Sequence, residues 1–372
     1  MSRAAVPPRG SGSSPESSGI ATLAEVASDA GVSVATAARA LGNYGSVKPA
    51  TRERVLAAAD RLGYRANTLA RSMITGTTRT IGVVLSDIEN PFFSQALRGI
   101  SDVAHRHRHE VVVANTDERI EMERDAVRVL LERRVDGLVV SPSDGDSAHL
   151  VRAVESGTPV VLLDRRVRGL TADTVGIDNR AAAKDATARL LALGHRRIAL
   201  VTGADPSLAA QLAHPDVRAV ARATRGTTGP RAAGYRDALA EAGLALDPRY
   251  LSADGIRRDD AARATRRLLA LPDPPTAIIA LDSLLALGVL RAFSDLGTAC
   301  PGDVSLVGFD DADWAEAVSP PLTVVSQPVP QIGATAGELL MARIAGATSA
   351  PVHRRFDTTF VERASTGPPP AQ

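Results

Sequence analysis

A single cysteine, Cys300, stands among 372 residues. No disulfide can form within the chain, so packing and hydrogen bonds must hold the fold, and a cytoplasmic setting is expected. Aromatic residues make up only 3%, so the core must rest on Ala, Leu, Val and Ile. No apolar run approaches the roughly 20 residues that span a bilayer. The opening stretch MSRAAVPPRGSGSSPESSG has no apolar centre, so it does not read as a secretory signal. Walker A, GxGxxG, GxSxG and HExxH patterns are absent, and no Ser–His or Cys–His arrangement is visible. No enzymatic activity, no cofactor and no metal are therefore expected. In the run HRHRHE (His105–Glu110), His105 and His109 could share a helix face, but no acidic partner or cysteine completes a metal site with them, and the run reads as a solvated helix end.

Net charge is also nearly absent, at +1, but it is unevenly spread. The first 78 residues carry +4 and the remainder −3. A small basic head on a slightly acidic body suits an anionic partner for the head alone.

What is present divides the chain in two. Residues 1–19 and 364–372 are Ser/Gly/Pro-rich and predict disordered tails. From Thr22 to Gly63 the pattern is helical. From Thr80 onward, short runs rich in Val and Ile alternate with amphipathic stretches: IGVVLS, EVVVAN, DGLVVSP, PVVLLD, TVGID, RIALVTG, TAIIALD and VSLVGFD. Near-continuous apolar strands alternating with helices predict parallel sheets covered on both faces. Their extent predicts two lobes rather than one. The segment 204–230 interrupts the alternation and reads as a surface insertion with one helix.

The stretch TLAEVASDAGVSVATAARAL carries the chemistry of the head. Thr22 and Glu25 have capping-box spacing. Leu23, Val26 and Ala27 form an inner face, Gly31 permits a sharp turn, and Ser33 caps a second helix, Val34–Leu41. Two short helices joined by a glycine turn are a helix-turn-helix, whose second helix enters the DNA major groove. A third helix, from about Pro49 to Leu62, braces the pair.

Followed by TRERVLAAADRLGY, NTLARSM and IGVVLSDIENPFF in that order and spacing, this head resembles the LacI/GalR transcriptional repressors, from about Ala21 to Arg363. The resemblance implies an all-α helix-turn-helix head (20–66), a hinge helix (67–78) and a two-lobed α/β body of the periplasmic-binding-protein kind (79–363). Lobe one would hold about 79–176 and 327–351, and lobe two about 177–326 and 352–363. It implies a homodimeric repressor that binds near-palindromic operator DNA and answers to a small-molecule effector, a sugar or related metabolite. No membrane partner is implied.

Residue by residue, Val34, Ala35 and Arg39 would read base edges, Arg39 by gripping a guanine. Thr22, Ser33 and Thr36 would bond phosphates, and Leu23 is counted with the DNA-contacting set. In the hinge, Asn67, Ala70 and Arg71 match the family, and Met73 stands where a wedging Leu is usual. That helix would fold only as two copies meet in the minor groove. In the body, Asp164, Arg231, Asp310 and Gln327 match effector-binding positions, with Phe92 and Phe93 packing on the ligand. Asp87 also ends a strand where ligands bind, and Arg231 is expected to open its helix. Three departures stand out: Ala37-Ala38 for Val-Ser, Ala66 for Pro, and Leu281 for an effector-contacting Asn. Two rival classes share parts of this pattern, a pure ligand-binding protein of the same body fold and an enzyme carrying a DNA-binding head.

Overall fold

The computed structural model describes residues 21–42, 45–64, 77–143, 147–167, 169–203, 226–253, 255 and 257–371. The chain separates into two compact units, Met1–Thr78 and Arg79–Gln372. The expected tail over 1–19 and the hinge residues Asn67, Ala70, Arg71 and Met73 lie outside the described residues. So does most of the 204–230 insertion.

The head has three helices, α1 (Leu23–Asp29), α2 (Val34–Gly42) and α3 (Pro49–Arg61). The expected capping box is formed: Thr22 Oγ1 accepts from Glu25 N at 3.3 Å, and Glu25 returns a carboxylate oxygen to Thr22 N at 2.7 Å. Gly31, with φ of 63°, makes the turn into α2. Val26, Ala27, Ala37, Ala40, Val55 and Ala58 form a small dry core. Ala37 is wholly buried in it, so of the Ala37-Ala38 pair the first is there for packing. Arg61 on α3 ties back to Asp29 on α1 at 2.6 Å.

The body is built on two six-stranded sheets. The first has the order β11-β5-β4-β3-β1-β2, from β1 (Thr80–Leu85), β2 (Glu110–Asn115), β3 (Gly137–Val140), β4 (Val160–Leu163), β5 (Asp173–Ile177) and β11 (His353–Phe356). All its pairings are parallel. The second has the order β12-β10-β9-β8-β6-β7. Its strands are β6 (Ile198–Val201), β7 (Leu251–Ser252), β8 (Ala277–Ala280), β9 (Ser305–Phe309), β10 (Thr323–Ser326) and β12 (Thr359–Val361). Only β12 runs antiparallel, against β10.

Successive strand residues face opposite helical layers, as the two-residue repeat requires. In lobe one, Val83 and Val139 face α4 (Pro91–Arg106) and α12 (Val329–Ile344), whereas Val84 and Val140 face α5 (Ile120–Glu132) and α6 (Ala148–Glu155). In lobe two, Leu200 and Ile279 face α7 (Asn179–Ala192) and α8 (Thr228–Glu241). Val201 and Ile278 face α9 (Arg258–Leu269) and α10 (Ser283–Leu296) on the other side. The short helix α11 (Trp314–Ala317) completes the set.

Two expectations are corrected. Residues 353–356, placed in lobe two by sequence, pair with β5 and extend the first sheet. The crossing into lobe two comes after them, at β12. The C-terminal tail is also not disordered. Ser365 is wholly buried. Its carbonyl accepts from Leu306 N at 2.8 Å, and its hydroxyl bridges Leu306 O (2.7 Å) and Thr323 N (2.8 Å). Gly367 bonds Ser305 and His195 beyond it. A Ser/Gly/Pro composition reads as disorder because it lacks apolar surface, but here the tail is held by backbone groups at the starts of β9 and β10. Ser365→Ala strands a buried N–H and a buried carbonyl. It is expected to cost about 2–3 kcal/mol, readable as a lower melting temperature with unchanged DNA binding.

Candidate functional site

The head presents one exposed face of α2. Ser33 caps that helix by accepting from Thr36 N, and the two hydroxyls share a hydrogen bond at 2.9 Å. Val34 is 49% exposed, so its side chain is available to a partner. Ala35 and Arg39 are exposed beside it. The Arg39 Nε donates to Ala35 O at 3.2 Å, which lays the guanidinium along the helix face. Thr22 is exposed at the start of α1, whereas Leu23 turns inward and packs on the head's core. The predicted base-reading and phosphate-binding groups, Leu23 apart, thus occupy the outer side of the helix-turn-helix.

In the body, a cleft of about 400 Å³ opens between the lobes. Strand ends supply its polar groups: Asp87 after β1, Asp164 after β4, Asp282 after β8 and Asp310 after β9. Ligand sites in parallel α/β sheets form at these carboxyl ends. Asp164 and Asp310 have φ of 66° and 70°. That left-handed conformation is uncommon outside Gly, Asn and Asp, and it turns both carboxylates out of their strand lines. Phe92 and Phe93 open α4, capped by Asn90, and meet edge to face at 5.1 Å.

Arg231 lies in the first turns of α8, which begins at Thr228, three residues before the expected start. It is 4% exposed. Its Nε donates to Asn179 Oδ1 at 2.7 Å and its Nη1 to the Leu281 carbonyl. The guanidinium stacks 4.3 Å from the Phe309 ring centre. Gln327 does not line the cleft; it donates to Asp310 Oδ1 at 2.6 Å and so orients that carboxylate. Of the six predicted body residues, five line one cavity and the sixth supports one of them.

Sequence reasoning missed Glu118, Arg165, Arg257, Asp260 and Asp282, all of which line the cleft. Glu118 and Arg165 form a bidentate pair at 2.6 Å in both bonds. They are far apart in sequence, so no local pattern announces them. Leu281 lines the cleft as a buried apolar group where the family's Asn would be polar.

Burial pushes Asp282 up to about 7, with the charge of Asp310 adding to the effect and the Leu285 N–H and Arg231 opposing it. Burial likewise pushes Asp310 up to about 6 against the pull of Arg231 and Gln327. Folding therefore takes up protons at both groups, so the stability they contribute is full near pH 4 and is lost as pH rises through 6 to 7. Burial lowers His195, which acts in the opposite sense below its ordinary 6.5. Comparison with Asp282→Asn isolates the cleft. The ligand-free wild type is expected to lose roughly 1–2 kcal/mol more than this variant between pH 5.5 and 7.5, measured by chemical denaturation.

An exposed helix-turn-helix reading face and an interlobe cleft lined by charged residues together define a ligand-controlled DNA-binding regulator. The comparisons carry this further. Residues 22–67 match the family of bacterial regulatory proteins, lacI family, and residues 187–366 match the periplasmic binding protein-like domain. The HTH-type transcriptional repressor CytR of Escherichia coli (strain K12) is 32% identical over 346 residues, 93% of this chain and 96% of that one. The transcriptional regulator CelR in its cellobiose complex is 32% identical, with a TM-score of 0.66 over 93% of this chain and 100% of that one. The lac repressor dimer bound to operator and the anti-inducer ONPF is 26% identical, with a TM-score of 0.77 over 93% and 99%. The chain belongs to the LacI family. It is a DNA-binding transcriptional repressor governed by a small-molecule effector, and not an enzyme. Among the described residues, no helix is long and apolar enough to cross a membrane.

Proposed function

We propose that this protein is a cytoplasmic homodimer that binds a near-palindromic operator through two copies of α2 and is switched by a sugar or related polyhydroxylated metabolite. Val34, Ala35 and Arg39 read bases, while Thr22, Ser33 and Thr36 bond phosphates. Asn67, Ala70, Arg71 and Met73 would form the minor-groove element. In the body, Asp164, Arg231 and Asp310 bind effector hydroxyls and Phe92 and Phe93 pack against its ring, with Gln327 holding Asp310. The observation that carries this reading is the convergence of two left-handed strand-end aspartates and a buried arginine on one cleft. Carboxylates and a guanidinium bond several hydroxyls at once, which suits a polyol. The cellobiose in the CelR relative is of this chemical class. Effector must bind the operator-competent and operator-released states unequally to act.

The test is selection of bound duplexes from randomised DNA by the full-length protein, followed by release of the enriched duplex with a panel of sugars. A near-palindrome released or tightened by a sugar supports the reading. A palindrome indifferent to every sugar but sensitive to another metabolite class would remove the sugar and keep the operator.

A further inference from the structure

The cleft holds three guanidiniums among its described residues, and they are engaged to different degrees. Arg231 is held by Asn179, Leu281 and Phe309. Arg257 lies at the rim, 3.5 Å from Glu89. Arg165 faces Glu118 in a two-pronged pair and donates to Pro142 O at 3.1 Å. Against these stand Asp87, Glu118, Asp164, Asp260, Asp282 and Asp310. Two buried polar atoms of the described lining have no partner, the acceptor Asp164 Oδ1 and the donor Arg165 Nε.

Glu118 is built for its place. Asp117 and Glu118 both adopt left-handed backbone, at φ 49° and 59°. The turn is pinned by Glu118 N to Ser86 O at 3.1 Å and by Asn115 Nδ2 to Asp117 Oδ1 at 2.7 Å. Two strained residues in succession persist only where surrounding bonds fix them. Burial alone would weaken the hold of Arg165 on its proton, but the Glu118 carboxylate more than reverses this. From lobe two, Gly226 covers the other face of the guanidinium. A Cβ there would lie 2.8 Å from Arg165 Cζ and Nε, and that Nε has no partner of its own.

We propose that Glu118 sets the charge selectivity of the cleft: it occupies both prongs of Arg165 and keeps carboxylates in excess of guanidiniums among the described lining residues, which disfavours effectors that carry phosphate or carboxylate. The inference rests on the cleft being the effector site. It deepens that reading by limiting the effector to an unphosphorylated donor of hydrogen bonds. A carboxylate matches a guanidinium in geometry as a phosphate does, so an anion that takes both prongs of Arg165 must displace Glu118 and strand it.

The experiment measures thermal stabilisation of the full-length protein by inorganic phosphate, ribose, ribose 5-phosphate, glucose and glucose 6-phosphate. Wild type is expected to ignore phosphate and both esters at 10 mM, roughly ten-thousandfold above a micromolar affinity. Glu118→Gln frees Arg165 and is expected to bind phosphate at least about tenfold more tightly than wild type, in a salt-sensitive manner. Adding Arg165→Met removes that gain. Wild type that binds a sugar phosphate as well as the parent sugar overturns the proposal, whatever the variants do. A folded Glu118→Gln that gains no phosphate binding also overturns it. If no neutral sugar binds but Glu118→Gln gains phosphate as expected, the sugar reading falls and the role of Glu118 stands.

Discussion

Arg231→Met is expected to abolish the response to effector while operator binding persists. Arg231 is the cleft cation buried among both polar and aromatic partners, and its charge opposes the effect of burial on Asp310. Methionine retains much of the packing volume against Phe309 but gives up every donor. Hydrogen bonds to a charged group contribute about 1.5–3 kcal/mol each. Loss of two to a ligand would weaken binding by on the order of 100-fold or more. The head folds on its own small core, so its affinity for operator is expected to change little. Titrating a labelled operator with protein, with and without saturating effector, separates the two effects. A variant still released at the wild-type effector concentration would remove Arg231 from the binding set.

The second large effect belongs to the head. Arg39→Ala removes the longest donor on the reading face of α2. A bidentate arginine–guanine contact discriminates against the wrong base by about 1–3 kcal/mol. A two-fold symmetric complex loses it in both half-sites, so operator affinity is expected to fall by roughly 10²–10⁴-fold. Non-specific affinity, which follows the phosphates, is expected to fall far less. Competition between the selected operator and a scrambled duplex reads the ratio. An unchanged ratio would mean that Arg39 meets phosphate and not a base edge.

Much of this architecture is legible in the sequence because the signals are local. The eight apolar runs each became a strand, and Thr22, Gly31 and Ser33 formed the caps and turn their side chains predict. Asp164 and Asp310 were readable as strand-end residues. The misses are tertiary. β11 has the sequence HRRF, which carries no apolar pattern. It is a strand because β5 offers it an edge. The tail beyond Ala364 lacks large apolar residues and is ordered by backbone groups at the starts of β9 and β10. Glu118 and Arg165 each look like solvated charge until the fold sets them against each other. The insertion before Gly226 blurred the start of α8, so the expected opening at Arg231 came three residues late.

The left-handed backbone at Asp164 and Asp310 limits how this pocket can diversify. A side chain at such a position crowds the neighbouring carbonyl at a cost of roughly 1–2 kcal/mol, smallest for glycine and for a short residue able to bond its own backbone. Single substitutions there can exchange a carboxylate for an amide, or delete it, at little backbone cost, whereas a larger group carries the left-handed penalty in full. New effector preferences are therefore more accessible through positions with ordinary backbone, such as Leu281 or Thr228, than through the two acids at the centre. The centre of the proposed site is in this sense the constrained part, and its periphery is where mutation can explore.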